Sequence, residues 1–183
     1  MINALALLDK YYTPGSNAHR ILLSHSQNVA SKATAVARRF PDGTVDVSFV
    51  TEAALLHDIG ICFTAAASLG CFGELPYLCH GLKGRELLEA EGLPRHALVC
   101  ERHIGVGLTE TEIIRQKFPL PPRDMLPTTL EERIVAYADL FFSKDPVKDG
   151  GERTPDQVRA CLGRFGQDKV VIFDRWHAMF ASE

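Results

Sequence analysis

An aspartate next to a histidine at the end of an apolar run is the first feature of this sequence that suggests chemistry. In AALLHDIG (53–60), four apolar residues lead directly into His57 and Asp58. A helix that is apolar on every side is predicted to be buried. An imidazole and a carboxylate are costly to bury unless something pairs with them. We therefore expect the two side chains either to satisfy each other and the backbone or to bind an ion.

Four more residues of these types interrupt apolar segments that are predicted to be helical: His25, His80, His103 and Asp139. If these helices pack around one core, the six side chains should converge. Imidazole nitrogens combined with carboxylates favour Mn, Fe, Co, Ni or Zn over Mg and Ca. Six ligands are enough for two ions if one carboxylate bridges them. One buried histidine alone is more often a hydrogen-bonded core residue, but that explanation does not account for the whole set.

The order of these motifs resembles the HD-domain metal-dependent phosphohydrolases, and within them the HDIG subgroup. The matching segments are HSQNVA, ALLHDIG, HGLKGRELL, ERHIGVGLT and LEERIVAYADLFFSK, which cover about residues 18–145. Within the superfamily, the sequence is most similar to uncharacterised bacterial and archaeal HDIG proteins. It is less similar to the diadenosine tetraphosphate hydrolases.

The resemblance implies a first metal ion bound by four residues: His25, His57, Asp58 and Asp139. It implies a second ion bound by His80 and His103, with Asp58 as the bridge and the central catalytic residue. The implied cofactor is one or two divalent ions of Mn, Fe, Ni, Co or Zn. The implied reaction is hydrolysis of a phosphomonoester or phosphodiester, plausibly a nucleotide, by a metal-activated water.

One position departs from the family pattern. Many members carry a basic residue directly after HDIG, whereas Ile61 follows it here. Another cation is then expected to contact the phosphate, and the candidates are Lys83, Arg102 and Arg123, with Lys144 as a weaker one. The alternative for Lys83 and Arg102 is that they are solvated helix charges or ion-pair partners.

Hydrophobic periodicity predicts an all-α fold, an HD-domain helical bundle, without strand-like alternation. Gly60 is expected to end the second long helix as a C-cap, and residues 61–79 are expected to form an irregular loop over the site. We interpret residues 1–183 as a single HD domain with a core at about 18–145 and a C-terminal helical extension at about 154–180. The predicted helices are 18–40, 46–60, 80–94, 95–105, 109–118, 128–145, 155–163 and 167–180.

Composition limits the expected partners. The chain has 183 residues, a hydrophobic fraction of 46% and a formal net charge of -3, without a run of Lys and Arg. Long nucleic acids and anionic membranes, which reward clustered basic residues, are therefore not expected as partners. The five cysteines contain no CxxC pair, and neither a signal peptide nor a membrane span is recognisable. We expect a cytoplasmic protein that acts on a small phosphorylated substrate; assembly into a homo-oligomer is left open.

Two other functions stay open at this point. The HD scaffold also supports di-iron oxygenases, which would show an iron-dependent, oxygen-consuming reaction. A non-catalytic module that binds a metal or a nucleotide is the second alternative, with the metal serving mainly to hold the helices together. In that case His57→Ala would unfold the protein, whereas in an enzyme it would remove metal and activity and leave the core intact.

Overall fold

The structure, a computed structural model, describes residues 2–144 and 151–181. The predicted all-α fold is confirmed, since the described residues are mostly helical. Within them, no helix combines the length and the apolar character needed to cross a membrane. The helices are α1 (Ala4–Tyr11), α2 (Asn17–Ala37), α3 (Val47–Leu56), α4 (His80–Ala90), α5 (Pro94–Arg102), α6 (Glu110–Gln116), α7 (Leu130–Asp139), α8 (Pro155–Leu162) and α9 (Gln167–Phe180).

The segment between α3 and α4 is more regular than the sequence predicts. It contains three short 3₁₀ turns, Ile59–Phe63, Ala67–Leu69 and Tyr77–Cys79. It also contains a small hairpin in which β1 (Ala65–Ala66) pairs antiparallel with β2 (Cys71–Phe72). Strands of two residues are too short to show the alternation from which a strand is predicted.

Gly60 does not cap α3, so the sequence prediction for this residue is wrong. The helix ends at Leu56, and Gly60 is buried in the following 3₁₀ turn without a positive φ. A Cβ at this position would lie 2.2 Å from the carbonyl oxygen of His80 and 2.4 Å from the amide nitrogen of Gly84. The glycine is therefore required because this turn and α4 approach each other closely, not because of its backbone freedom.

The start of α7 follows from the Thr-Thr-Leu-Glu-Glu pattern at 128–132. Thr129 is the N-cap, and its hydroxyl accepts a hydrogen bond from the amide of Glu132 at 3.1 Å. The Glu132 carboxylate in turn accepts from the amide of Thr128 at 2.7 Å. These bonds satisfy amides that have no partner within the helix. They fix the start of the helix that carries Asp139.

The C-terminal helices share a hydrophobic core with the helices that carry the predicted ligands. Val29 of α2, Val50 of α3, Ile134 of α7 and Phe173 of α9 are all fully buried in one cluster. Burial of apolar area of this kind is the main stabilising contribution to a fold. The division into a core and a C-terminal extension stays a prediction.

A buried ion pair connects Lys169 of α9 to Glu112 of α6. The Lys169 ammonium lies 2.6 Å from Glu112 Oε1 and donates a hydrogen bond to the Gly107 carbonyl oxygen at 3.0 Å. Lys169 is only 5% exposed. Removing one member of such a pair leaves the other charge buried without a partner, which is strongly destabilising.

We therefore expect Lys169→Met to lower the free energy of unfolding by about 2–4 kcal/mol. Urea denaturation followed by circular dichroism measures this change. The double variant Lys169→Met/Glu112→Gln should recover part of the loss, because the unpaired carboxylate is then absent. If the double variant is as unstable as the sum of the two single variants, the pair is not coupled.

Candidate metal centre

The structure brings the six predicted ligand side chains together where α2, α3, α4, α5 and α7 meet. They form two groups that share Asp58, and within each group the ligand atoms lie within 4.8 Å of one another. The first group is His25, His57, Asp58 and Asp139, and the second is Asp58, His80 and His103. All are buried except Asp139, which is partly exposed.

Three of the histidines are oriented by the same local hydrogen bond. The Nδ1 atoms of His57, His80 and His103 lie 2.7, 2.6 and 2.8 Å from the carbonyl oxygen three residues earlier in the chain. A carbonyl oxygen only accepts, so Nδ1 carries the proton and donates it. In the neutral ring Nε2 then carries the lone pair, which is the arrangement found in histidine ligands with a fixed second hydrogen bond.

The Nε2 atoms of the four histidines, His25 included, point at one another in pairs. His25 Nε2 lies 3.3 Å from His57 Nε2, and His80 Nε2 lies 3.2 Å from His103 Nε2. Two lone pairs facing each other at such distances repel unless a proton or a metal ion lies between them. The geometry of both pairs is therefore the geometry expected of ligands that share a cation.

Asp58 faces both histidine pairs, one with each carboxylate oxygen. Its Oδ2 lies 3.3 Å from His25 Nε2 and 3.1 Å from His57 Nε2. Its Oδ1 lies 3.4 Å from both His80 Nε2 and His103 Nε2. Among the described residues, neither oxygen has a well-aligned hydrogen bond although both are buried. Such atoms require compensation, so the donor set fits two ions with Asp58 as the bridge.

Burial and neighbouring charges set the protonation states of the site. Burial lowers the pKa of His80 to about 4, so its ring is neutral at neutral pH, which is the form that binds metal. Burial acts in the same direction on His57, but the carboxylates of Asp58 and Asp139 outweigh it and raise the pKa to about 10. Burial also raises the pKa values of the Asp58 and Asp139 carboxyls. The charges of His57 and Lys144 outweigh this effect and keep both pKa values well below the usual range. The proton on His57 must leave before the ring can act as a ligand.

The three cations predicted to contact a phosphate lie in ion pairs of their own. Among the described residues, none of them forms a hydrogen bond or an ion pair with the six ligands. The pairs are Lys83–Glu86, Arg102–Glu132 and Arg123–Glu101. Sequence spacing suggested Lys83 and Arg102 because they lie close to His80 and His103 in the chain, but their side chains turn toward acidic residues.

Among the residues that the structure describes, Lys144 is the cation that reaches the cluster. Its Nζ lies 2.8 Å from Asp58 Oδ2 and 3.5 Å from Asp139 Oδ1. In the predicted helix 128–145, the side chain of Lys144 would point away from that of Asp139. Five residues along an α-helix correspond to about one full turn and a further 140° of rotation. Instead, α7 ends at Asp139, and the chain folds back so that the lysine faces the ligands.

A cleft of about 550 Å³ opens beside Asp139. It is lined by residues of β1 and of the 3₁₀ turns that follow, by the chain from the end of α7 to Lys144 except Phe141, and by Arg153. This volume lies in the range of small-molecule sites in proteins. The lining residues with polar or aromatic side chains are Ser68, Tyr77, Asp139, Phe142, Ser143, Lys144 and Arg153.

The chain matches the family model described as HD domain over residues 22–142. It belongs to the HD-domain family. Its curated relatives include an uncharacterised protein of Methanocaldococcus jannaschii, which is 45% identical over 70% of this chain and 66% of that protein. They also include a tRNA (cytidine(56)-2'-O)-methyltransferase of Thermoplasma volcanium, 34% identical over 75% of this chain and 36% of that protein. The chain thus spans about a third of that methyltransferase.

Among solved structures, the HD domain of the phosphodiesterase PgpH of L. monocytogenes has the same fold. It superposes with a TM-score of 0.54 at 16% identity, over 99% of this chain and 97% of that one. The same domain in complex with cyclic-di-AMP gives a TM-score of 0.55 at 15% identity, over 99% and 96% of the two chains. The predicted family and the HD-domain helical bundle are confirmed, and the assignment to the HDIG subgroup stays a prediction.

The two ligand groups predict that His103→Ala removes one ion and leaves the other. The second group would keep only Asp58 and His80, whereas the first group is unchanged. Elemental analysis of the purified variant should give about one metal ion per chain where the unmodified protein gives about two. His19→Ala is the control, because His19 pairs with Asp9 away from the cluster. If His103→Ala retains two ions, His103 is not a ligand.

Proposed function

We propose that this protein is a metal-dependent phosphohydrolase that acts on a phosphomonoester or a phosphodiester. The observation that carries the proposal is the pair of ligand groups around Asp58 next to a cleft that contains Lys144 and Arg153. A pair of divalent ions supplies an activated water near neutral pH and neutralises charge on the phosphoryl oxygens. In this proposal His25, His57, Asp58, His80, His103 and Asp139 are the metal ligands.

The burial of the ligands supports one direction of approach for the substrate. The side chains of His57 and Asp58 are fully buried, and that of Asp139 is 13% exposed. The site is therefore closed by the core on the side of α3 and open beside Asp139, where the cleft lies. A phosphate that enters there meets Lys144 and the C-terminal end of α7. The core excludes bulk water on the opposite side of the site.

A nucleotide is the substrate class that we favour. Tyr77 and Phe142 line the cleft and offer aromatic surface for a base, and its volume of about 550 Å³ is sufficient for a nucleotide. The cyclic-di-AMP complex of the PgpH HD domain is consistent with this class. The two cations among the described lining residues are too few for a long nucleic acid, which rewards many phosphate contacts.

Hydrolysis is a better proposal than methyl transfer. The segment that matches the HD-domain model, 22–142, contains all six ligands. The methyltransferase relatives, by contrast, are matched over only about a third of their length. The activity of those longer proteins therefore gives weak support for the activity of this chain.

The test is a reconstitution series. Protein freed of metal with a chelator is loaded with Mn, Fe(II), Co, Ni or Zn and assayed with 4-nitrophenyl phosphate, bis(4-nitrophenyl) phosphate, nucleoside monophosphates and a cyclic dinucleotide. We expect hydrolysis that depends on metal and disappears on chelation. Metal binding without hydrolysis of any of these compounds would favour a non-catalytic module. Iron-dependent uptake of oxygen in a parallel electrode measurement would favour an oxygenase.

A further inference from the structure

The cleft needs a cation to bind phosphate, and the described residues offer two. Ile61, which directly follows HDIG in this chain, is apolar and buried and offers no charge. Of the charged residues that line the cleft, Lys144 and Arg153 are the cationic ones. Among the residues that the structure describes, phosphate binding therefore falls to one of these two.

Arg153 is already engaged in holding the backbone. Its Nη1 donates a hydrogen bond to the Leu140 carbonyl oxygen at 3.0 Å, and its amide donates to the Phe141 carbonyl oxygen at 2.8 Å. These bonds connect the chain before α8 to the end of α7. A guanidinium with this structural role has less freedom to follow a substrate.

The Lys144 ammonium pairs with charges that metal ions would compensate, and it also lies near the Tyr77 hydroxyl. The ammonium contacts oxygens of Asp58 and Asp139, which both belong to the first ligand group. Asp58 Oδ2 also faces His25 and His57, so the ammonium lies at the edge of the position that an ion in this group would take. An ammonium and a divalent cation repel each other strongly at a separation of a few ångströms.

We propose that Lys144 is the substrate-phosphate-binding residue of this protein. In the structure its ammonium pairs with Asp58 and Asp139. Metal ions held by these carboxylates would repel the ammonium, and a rotation of the flexible side chain would move it into the cleft that Tyr77 also lines. This inference rests on the proposed function.

The charge of Lys144 also predicts a substrate preference. A phosphomonoester carries a charge of about -1.5 to -2 at pH 7, whereas a diester has a single ionisable oxygen and carries one negative charge. An additional ammonium beside the ions favours the more highly charged group. We infer that Lys144 selects terminal phosphomonoesters, such as a nucleoside monophosphate, over phosphodiesters.

The experiment compares Lys144→Gln and Lys144→Arg with Lys10→Gln, a control lysine that pairs with Glu91 on the surface. Isothermal titration calorimetry measures Mn²⁺ binding to chelator-treated protein, and then inorganic phosphate binding to Mn²⁺-loaded protein. Kinetics with 4-nitrophenyl phosphate and bis(4-nitrophenyl) phosphate give kcat/KM for a monoester and a diester. Thermal melts of all variants establish that they are folded.

We expect Lys144→Gln to bind Mn²⁺ at least as tightly as the unmodified protein, because the competing ammonium is absent. It should bind phosphate about 10–100-fold more weakly, which is the loss expected for a hydrogen bond from a charged group. Its kcat/KM should fall by a similar factor for the monoester and only a few-fold for the diester. Lys144→Arg should retain most of the phosphate affinity, and Lys10→Gln all of it.

Unchanged phosphate affinity in Lys144→Gln would overturn the inference and leave the proposed hydrolase function intact. Loss of Mn²⁺ binding in this variant would also overturn it, because Lys144 would then be a structural partner of the ligands. If the unmodified protein hydrolyses neither of these esters, nor the nucleoside monophosphates and the cyclic dinucleotide, the proposed function fails. In that case, weaker phosphate binding by Lys144→Gln would still support the binding role of the lysine.

Discussion

Asp58→Asn is expected to abolish metal binding in both ligand groups and to lower hydrolysis by about 1000-fold or more. The substitution keeps the shape of the side chain and removes its charge. The effect is large because each oxygen of Asp58 faces a different pair of histidines. No other ligand belongs to both groups. Elemental analysis and 4-nitrophenyl phosphate hydrolysis, measured on the same preparation, test both parts of the prediction.

The matched control is Asp42→Asn, which makes the same chemical change at an exposed position. It should retain metal and activity. Thermal melts of chelator-treated samples separate a loss of ligand from a loss of fold, because without metal both variants should remain folded. An Asp58→Asn protein that retains two ions per chain would contradict the bridging role of Asp58.

Gly60→Ala is expected to lower the free energy of unfolding by about 3 kcal/mol, which corresponds to roughly 6–12 °C in Tm for a domain of this size. The new Cβ would lie 2.2 Å from the His80 carbonyl oxygen and 2.4 Å from the Gly84 amide nitrogen. Both contacts are with backbone atoms, so a side-chain rotation cannot relieve them. The 3₁₀ turn that follows Asp58 and the start of α4 must move apart, which separates Asp58 from His80.

Differential scanning calorimetry measures the stability of this variant, and elemental analysis measures its metal content, which should fall as well. Gly163→Ala is the control, because Gly163 has helical φ and ψ angles of -58° and -22°. A Cβ there would come no closer than 3.2 Å to the nearest atom, the Arg159 carbonyl oxygen. We expect this control to change stability by less than about 1 kcal/mol. Equal effects of the two substitutions would show that close packing at Gly60 is unimportant.

The helices and the candidate ligands could be predicted because both leave a local signal. The period of apolar residues predicts the helices, and the Thr-Glu spacing at 128–132 predicts the start of α7. Asp139 could be singled out because a carboxylate inside an apolar helix needs a partner. The two C-terminal helices, predicted at 155–163 and 167–180, are observed at Pro155–Leu162 and Gln167–Phe180.

The features that the sequence did not predict depend on contacts between distant segments. The role of Gly60 depends on the position of α4, which lies twenty residues further along the chain. The position of Lys144 depends on where α7 ends, and a continued apolar pattern through Phe142 concealed that end. The partner of Arg102, Glu132, is thirty residues away. The spacing of apolar residues within a short segment of sequence does not reveal contacts between residues so far apart in the chain.

The carbonyl hydrogen bonds of the three histidines have a consequence for how this sequence can change over time. The oxygens that orient His57, His80 and His103 belong to the backbone of Ala54, Tyr77 and Cys100. Every amino acid supplies a carbonyl oxygen, so the bonds themselves do not depend on which side chains these three neighbours carry. Genetic drift at these positions is therefore limited by the packing of the new side chain and not by the loss of the group that fixes the tautomer of the ring.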